Sequence, residues 1–475
     1  MASGNLSDSH LSSTSSLPKV DILTMFRLGL FQMGLGIMSI LTLGVLNRIM
    51  IEELKVPALI TALAIAMHQF VAPIRIWFGQ ASDTKPLFGY HRTGYVWLGA
   101  GLFAIASYLA VQVVWLVGAS LQNSGWSVQT TGWVAILALI FALYGIAISA
   151  SSTPFVALLV DISDEDNRPK IVGIVWSMLM VGIIIGAITS SGLLDQIRLN
   201  APVEVIQTQV NRLFTIVPAL AFGLCVFSVL GVEKKYSRFS TRGTVANRED
   251  KITINQALKI LTASRQTGIF FTFLLIMTIS LFMQDAVMEP YGGEVFKMTI
   301  AETTKLNAFF ASGTLIGLVV TGLAIAPRIG KKNTTKIGCI AVAICLILII
   351  LAGTTANPKV LQWSLVLFGL ASGVTTIGAL SLMLDLTTAQ TAGTFVGAWG
   401  LAQALARGLA TVSGGAVLNL GKRFFDTPFA SYSLVFTLQA IGMIVALSFL
   451  SQVNVSEFQR NAKDAIASIL EQELD

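Results

Sequence analysis

Long apolar runs separated by short polar breaks fill this chain from residue 25 to residue 452. A helix needs about 20 apolar residues to cross a bilayer. By that measure twelve stretches qualify: roughly 25–50, 57–80, 94–119, 132–160, 169–193, 212–232, 268–290, 303–327, 334–353, 359–385, 391–420 and 428–452. The longest polar break among them, Glu233 to Thr267, divides them six and six. The pattern predicts an all-α integral membrane protein. Its expected parts are a polar tail (1–24), a six-helix bundle (25–232), a basic linker (233–267), a second six-helix bundle (268–452) and a C-terminal amphipathic surface helix (453–475). In the last segment Val455, Phe458, Ala462, Ile466 and Ile469 share one helical face, which suits a helix lying on the membrane or docking a partner. In the linker Ile254, Ala257, Leu258 and Leu261 do the same.

Charge sets the orientation. With both termini cytoplasmic, 20 of the 31 Lys and Arg residues fall in cytoplasmic segments and 9 in external ones. Arg75 and Arg407 lie within spans. The excess follows the positive-inside rule, so both termini are expected in the cytoplasm. The first 24 residues are Ser-rich and lack the layout of a cleavable signal.

Composition supports the same class. Hydrophobic residues make up 54% and charged residues 12%, against about 25% charged in a soluble domain. The net charge of +6 follows from loop topology and does not point to nucleic acid as a partner. Cys225, Cys339 and Cys345 lie in apolar spans with neither metal-ligand nor disulfide spacing, and are expected in the core. Gly182, Gly186 and Ser190, like Ala402, Ala406, Ala410 and Gly414, repeat every fourth residue and predict close helix contacts. Trp97, Trp176 and Trp399 suit interface anchoring or stacking on a ring ligand.

Candidate chemistry sits where polar groups interrupt apolar spans. His68, Gln69 and Arg75 lie in the second stretch. An ionisable group there costs about 3 kcal/mol unless it faces protein, water or ligand. His68 and Arg75 share a helical face, and Pro73 between them predicts a kink. His68 suits either a hydrogen bond to a neighbouring helix or axial ligation of a metal. Gln69 suits a helix–helix contact. Gln284, Asp285 and Glu289 close the seventh stretch. Asp285 and Glu289 stand i, i+4 and are expected on one side, for proton coupling, ligand contact or an ion pair with Arg48 or Arg75. Pro290 and Gly292-Gly293 are expected to end that helix. Arg48 and Glu52 read as a surface i, i+4 pair contributing about 0.5 kcal/mol. Arg27 is expected to snorkel to the interface. Gly79, Asp83, Arg92, Asp161 and Arg168, with Asp164 and Glu165, read as a cytoplasmic gate or a static latch. Neither a nucleotide loop nor a nucleophile–base pair appears, so an enzyme is not expected.

Two resemblances add to this. The 6+6 division resembles the major facilitator superfamily, together with the Gly79–Gly89 turn, its weaker counterpart at Gly322–Lys332, and Asp161 and Asp385 each followed by a glycine twelve residues on. The segments Leu46–Leu54, Ala72–Arg75, Gly79–Thr84 and Gln284–Gly293 resemble the PucC/LhaA family of (bacterio)chlorophyll-delivery proteins. His91 departs from the aromatic-and-arginine pattern expected in its loop. The resemblance implies a protein of a photosynthetic membrane, thylakoid or bacterial inner membrane. It would bind chlorophyll or bacteriochlorophyll and deliver it to antenna or photosystem polypeptides, with pigment-synthesis enzymes as further partners. The family motif itself assigns no ligand. On that reading His68 becomes a candidate for the pigment magnesium. Gln69, Arg75, Gln284, Asp285 and Glu289 become candidates around the ring. The alternatives are a proton-coupled transporter of a small amphipathic solute and a scaffold without transport.

Overall fold

Every backbone N–H and C=O inside hydrocarbon must be bonded within the protein, and an apolar stretch that crosses a membrane meets this most simply as a helix. The computed structural model describes residues 20–163, 168–197, 201–237, 265–385, 392–454 and 457. Among these residues twelve helices are long and apolar enough to span. They are α1 (Ile22–Glu53), α2 (Ala58–Thr84), α3 (Thr93–Ser124), α4 (Val128–Asp161), α5 (Lys170–Leu194), α6 (Val203–Tyr236), α7 (Gly268–Ala286), α8 (Ile300–Ile329), α9 (Lys331–Thr355), α10 (Pro358–Met383), α11 (Gly400–Phe424) and α12 (Pro428–Gln452). Most of the tail, most of the basic linker and nearly all of the C-terminal amphipathic segment lie outside the described residues, as do Asp164 and Glu165 and the side chains of Arg168 and Trp399.

The observed helices overrun the apolar stretches at most ends. The sixth begins at Val203, where the sequence is Glu-, Gln- and Asn-bearing, because Pro202 at its N-cap starts a turn that polar residues then continue. Such turns stand beyond the hydrocarbon, and apolar counting misses them.

Four helices depart from regular winding, α8 among them with π-type turns at Thr321–Ile325. α1 widens into π-type turns at Ile40–Leu46 and Ile49–Glu53. α2 passes through a 3-10 turn at Ala72–Ile74, where Pro73 removes a backbone donor. The seventh stretch is broken rather than ended. α7 tightens into a 3-10 turn at Met283–Ala286, and a new helix runs from Met288 to Phe296. Pro290 lies in the first turn of that new helix, where its missing N–H costs nothing. The expectation that Pro290 and Gly292-Gly293 end the helix is therefore corrected: the chain ends it at Lys297, in the left-handed region with φ 59°.

Twelve crossings bring both ends of the described chain to one side, here the proximal side; the other is distal. The two halves, α1–α6 and α7–α12, share packed interiors at the distal side. Ile51 and Ala58, from the distal ends of α1 and α2, pack in the C-terminal half's core. Ile300 and Ala301, at the distal start of α8, pack in the N-terminal half's core. At the proximal side Glu233 accepts from the backbone of His91, Arg92 and Thr93 within the N-terminal half, and Lys332 donates to the Ser451 and Val453 carbonyls within the C-terminal half. Arg27 donates to the Leu230 carbonyl, so its snorkelling ends on α6. The three cysteines are buried and free.

Small residues do allow close contact, as spacing predicted. A Cβ on Gly36 of α1 would lie 2.9 Å from the Ile183 amide nitrogen of α5. One on Gly186 would lie 2.8 Å from the Ile37 Cα, and one on Gly414 would lie 3.3 Å from the Ala286 Cβ. Gly36→Ala should therefore force α1 and α5 apart, at a cost of about 1–3 kcal/mol. Gly223→Ala meets open space and should be neutral or slightly stabilising. Thermal unfolding of both variants in detergent checks this: equal midpoints would contradict the packing described.

Candidate functional site

Polar side chains fall into three layers across the membrane. The distal layer is built on Arg48, which is 1% exposed. A buried guanidinium is tolerated only when its donors are met. Its Nε lies 2.9 Å from the Glu52 carboxylate. Its Nη1 donates to the Thr299 carbonyl at 2.7 Å and to the Thr303 hydroxyl, and its Nη2 to the Met298 carbonyl at 2.9 Å. One residue earlier, Asn47 donates to the Ala286 carbonyl at 2.8 Å. Both residues belong to α1, and all these carbonyls belong to the other half. The surface Arg48–Glu52 pair expected from spacing is corrected: the pair is interior, because α1 continues past the expected end and is covered by α8 and the broken seventh helix.

Glu289 belongs to this layer. Its Oε1 accepts from Asn307 at 2.5 Å. A Cβ on Gly44 would come 3.0 Å from its carboxyl carbon, so only glycine on α1 leaves room for it. Gly293 likewise stands where a Cβ would collide with Glu52. Lys422 closes the rim on Glu294 at 2.7 Å.

The middle layer holds His68, Gln69, Arg75, Gln284 and Asp285. His68 is half-buried. Its Nδ1 lies 2.5 Å from the Ile65 carbonyl and its Nε2 lies 2.8 Å from the Gln69 amide nitrogen. With Nδ1–H committed to Ile65, Nε2 carries the lone pair. Tyr144 stands edge-on at 6.1 Å, and a Cβ on Gly145 would lie 2.6 Å from the His68 Cα, so α4 backs this turn of α2. Asp285 accepts from Gln284 at 2.9 Å. Gln284 in turn accepts from Gln439 of α12 at 3.1 Å, and Gln439 also donates to the Ser280 carbonyl at 3.1 Å. The expectation that Asp285 and Glu289 face one side is corrected. The 3-10 turn between them resets the helical phase, leaving Asp285 in the middle layer and Glu289 in the distal one.

Arg407 of α11 completes the middle layer, and no spacing argument had singled it out. Its guanidinium carbon lies 4.0 Å from the Phe282 ring centroid, and its charge acts on Arg75, His68 and Asp285. The next residue, Gly408, packs on Gln69 and Phe70; its Cβ would lie 3.2 Å from the Gln69 Cβ. Arg75 and Arg407 are both exposed although they sit within spans, so the middle layer is open to solvent. Asn307 and Gln439 were also missed. The available signal was an amide inside an apolar span, the same one that singled out Gln69.

The proximal layer holds Asp83, Arg92 and Asp161, three of the residues read from sequence as a gate or a static latch. Arg92 meets Asp83 at 2.6 Å and Asp161 at 2.9 Å, and donates to the Ser82 hydroxyl at 2.6 Å. Gly79 lies one turn before Asp83, and a Cβ there would touch only Thr153. These side chains all belong to the stretch from α2 to α4, so these ion pairs tie loop 84–93 to its own half rather than locking one half to the other.

Comparison with known proteins follows the same lines. The family described as PUCC protein matches residues 45–458. Protein PucC of Rhodobacter capsulatus is 29% identical over 440 residues, covering 91% of this chain and 92% of that protein. A protein of the same species named bacteriochlorophyll synthase 44.5 kDa chain is 30% identical over 434 residues, covering 89% and 94%. Among solved structures, a mutant of the nucleoside transporter NupG superposes with a TM-score of 0.67 at 14% identity, covering 91% of this chain and 99% of that one. A bacterial homologue of the iron transporter ferroportin, in an inward-facing state, gives 0.64 at 12% identity with the same coverage. At such identities the likeness is one of fold: twelve helices in two six-helix bundles, as in the major facilitator superfamily.

The distal layer predicts a large penalty for removing one partner. Arg48→Met leaves Glu52 buried without its cation and should destabilise by about 3–5 kcal/mol. Adding Glu52→Gln should recover part of that. Unfolding midpoints of the two variants test it, and a double variant no more stable than Arg48→Met would contradict the pairing.

Proposed function

The chain belongs to the PUCC protein family, and on that premise we propose that it holds chlorophyll or bacteriochlorophyll in a photosynthetic membrane and delivers it to antenna or photosystem polypeptides as their complexes assemble. Both termini face the cytoplasm in this reading, consistent with the basic loops. The name of one relative refers to bacteriochlorophyll. Pigment-synthesis enzymes are natural partners for a protein that must receive pigment before giving it away.

The observation that carries the reading is the state of His68. A magnesium tetrapyrrole takes an axial ligand with a free lone pair, and neutral imidazole is suited to that. Here the backbone holds Nδ1 and leaves Nε2 as the acceptor, hydrogen-bonded among the described residues to the Gln69 amide. Imidazole ligands to metals are oriented by such a bond at the other nitrogen. Around it stand donors suited to ring carbonyls: Gln69, Arg75 and Arg407. Gln284 and Asp285 lie across the same layer, with Phe282 as an apolar wall under Arg407. Bound there, the pigment supplies the metal and the ring. The chain orients one nitrogen, positions the donors and seals the distal side. Glu289 lies outside that set, in the distal layer, and its part is structural.

A proton-coupled transporter of a small amphipathic solute is the second reading. It draws on one observation, the carboxylate of Asp285 within reach of the Arg407 charge inside a solvent-open layer. The carrier reading, rather than an enzymatic one, fits side chains that hydrogen-bond and bear charge without pairing a nucleophile to a base.

His68→Leu discriminates. Expressed in a pigment-making host and purified in mild detergent, the variant should stay folded and lose most of its pigment relative to the parent. Unchanged pigment stoichiometry would remove His68 as the ligand. Uptake into vesicles that collapses with the pH gradient, from a protein that never retains pigment, would favour the transporter.

A further inference from the structure

The middle layer carries more positive charge than its own carboxylate answers. Arg75 and Arg407 both reach it, and Asp285 is the carboxylate whose charge Arg407 meets. Among the described residues neither guanidinium has a carboxylate oxygen within 4.0 Å. One Asp285 oxygen is already engaged by Gln284. In the other two layers each arginine that meets a carboxylate does so at ordinary ion-pair distance, Arg48 with Glu52 and Arg92 with Asp83 and Asp161. The two unanswered arginines lie in the layer that is open to solvent, on helices that pack together where Gly408 meets Gln69 and Phe70, and the charge of Arg407 acts against that of Arg75. Like charges kept together at membrane depth are costly, and an anion between them relieves that cost.

The placement also has a shape. Arg407 lies over the Phe282 ring, which covers one guanidinium face and leaves the planar edge to donate. That edge matches a carboxylate in two parallel hydrogen bonds. His68 and Arg75 are seven residues apart on α2, about 10–12 Å along an axis that passes through the 3-10 turn at Ala72–Ile74. That is comparable to the reach from the metal of a tetrapyrrole to the end of a ring propionate.

We propose that Arg75 and Arg407 bind the free propionate of an unesterified metal tetrapyrrole while His68 faces its metal, so that the site prefers the anionic acid over the esterified pigment. The inference rests on the pigment reading above and goes further by naming the chemical form. An acid held this way is also the substrate of an esterifying reaction. That places the protein where it can hand the anionic pigment to such an enzyme, or hold it until the tail is attached.

Two probes that differ at one carboxyl test it: zinc pheophorbide a and its methyl ester. Each is titrated into the full-length protein in mild detergent, with binding read from fluorescence and zinc ligation from the shift of the long-wavelength band. The free acid should bind about tenfold or more tightly than the ester, the difference expected for one charge-assisted contact. Arg407→Gln and Arg75→Gln should each erase most of that preference, weakening the acid by a larger factor than the ester. Arg407→Lys should keep part of it. His68→Leu should abolish the band shift for both probes while the acid still binds better. Equal affinity for acid and ester overturns this inference and leaves the pigment reading standing. Binding of neither probe overturns the pigment reading itself. Displacement of the acid by oleate at matching affinity assigns the arginines to any anionic amphiphile and overturns the tetrapyrrole assignment.

Discussion

One buried guanidinium organises this molecule. Removing an arginine from water costs several kcal/mol even after relaxation, and the cost is met only if its donors are satisfied together. Arg48 finds one partner on its own helix, Glu52, and the rest on the opposite half. Those partners include the backbone carbonyls at 298 and 299. They are presented because the preceding helix stops at Lys297 in a left-handed turn and the next begins with a capping box between Thr299 and Glu302. Two glycines, Gly44 and Gly293, leave space for the carboxylates that flank the cation. The distal side is thus shut by chemistry that tolerates little rearrangement. The ion pairs of Arg92 with Asp83 and Asp161 stay within one half, and solvent reaches Arg75 and Arg407 in the middle.

That asymmetry gives the middle layer its character. Its residues come from both halves: His68, Gln69 and Arg75 from α2, Gln284 and Asp285 from the broken seventh helix, Arg407 from α11. A 3-10 turn interrupts each of the first two elements beside the polar groups, at Ala72–Ile74 and at Met283–Ala286. Discontinuous helices near the bilayer centre free backbone and side-chain donors for a ligand, a device common to transporters. Solved structures with this fold include transporters, and the chain belongs to the PUCC protein family. On the reading proposed above, a carrier for an amphipathic ring would use the same architecture, with the polar layer reading the ring and the apolar walls accepting what surrounds it.

Much of this was legible in the sequence. The twelve helices follow from apolar run length, because hydrocarbon leaves the backbone no other simple solution. His68, Arg75 and Asp285 stood out for the same reason, and a close helix contact of α5 was readable from Gly182 and Gly186, though not that its partner is α1. What escaped was phase and partner. The pairing of Asp285 with Glu289 assumed an unbroken helix, and a four-residue 3-10 turn sends them to different layers. Arg48 and Glu52 looked like a surface pair because their own helix offers no hint of what covers it; only the arrival of α8, some 250 residues later, buries them. Arg407 was counted for topology and passed over for chemistry, since its neighbours Phe282 and Asp285 become neighbours only in three dimensions. The Asp83–Arg92–Asp161 set was readable as a cluster, but spacing could not tell a lock between halves from a brace inside one.

The central claim, a defined pigment site inside a twelve-helix carrier, is tested most directly by the parent protein itself. Purified in mild detergent from a pigment-making host, it should carry close to one magnesium tetrapyrrole, esterified or free acid, per chain, with an absorption band displaced from that of the free pigment. A folded, monodisperse protein that emerges colourless from such a host would contradict the claim.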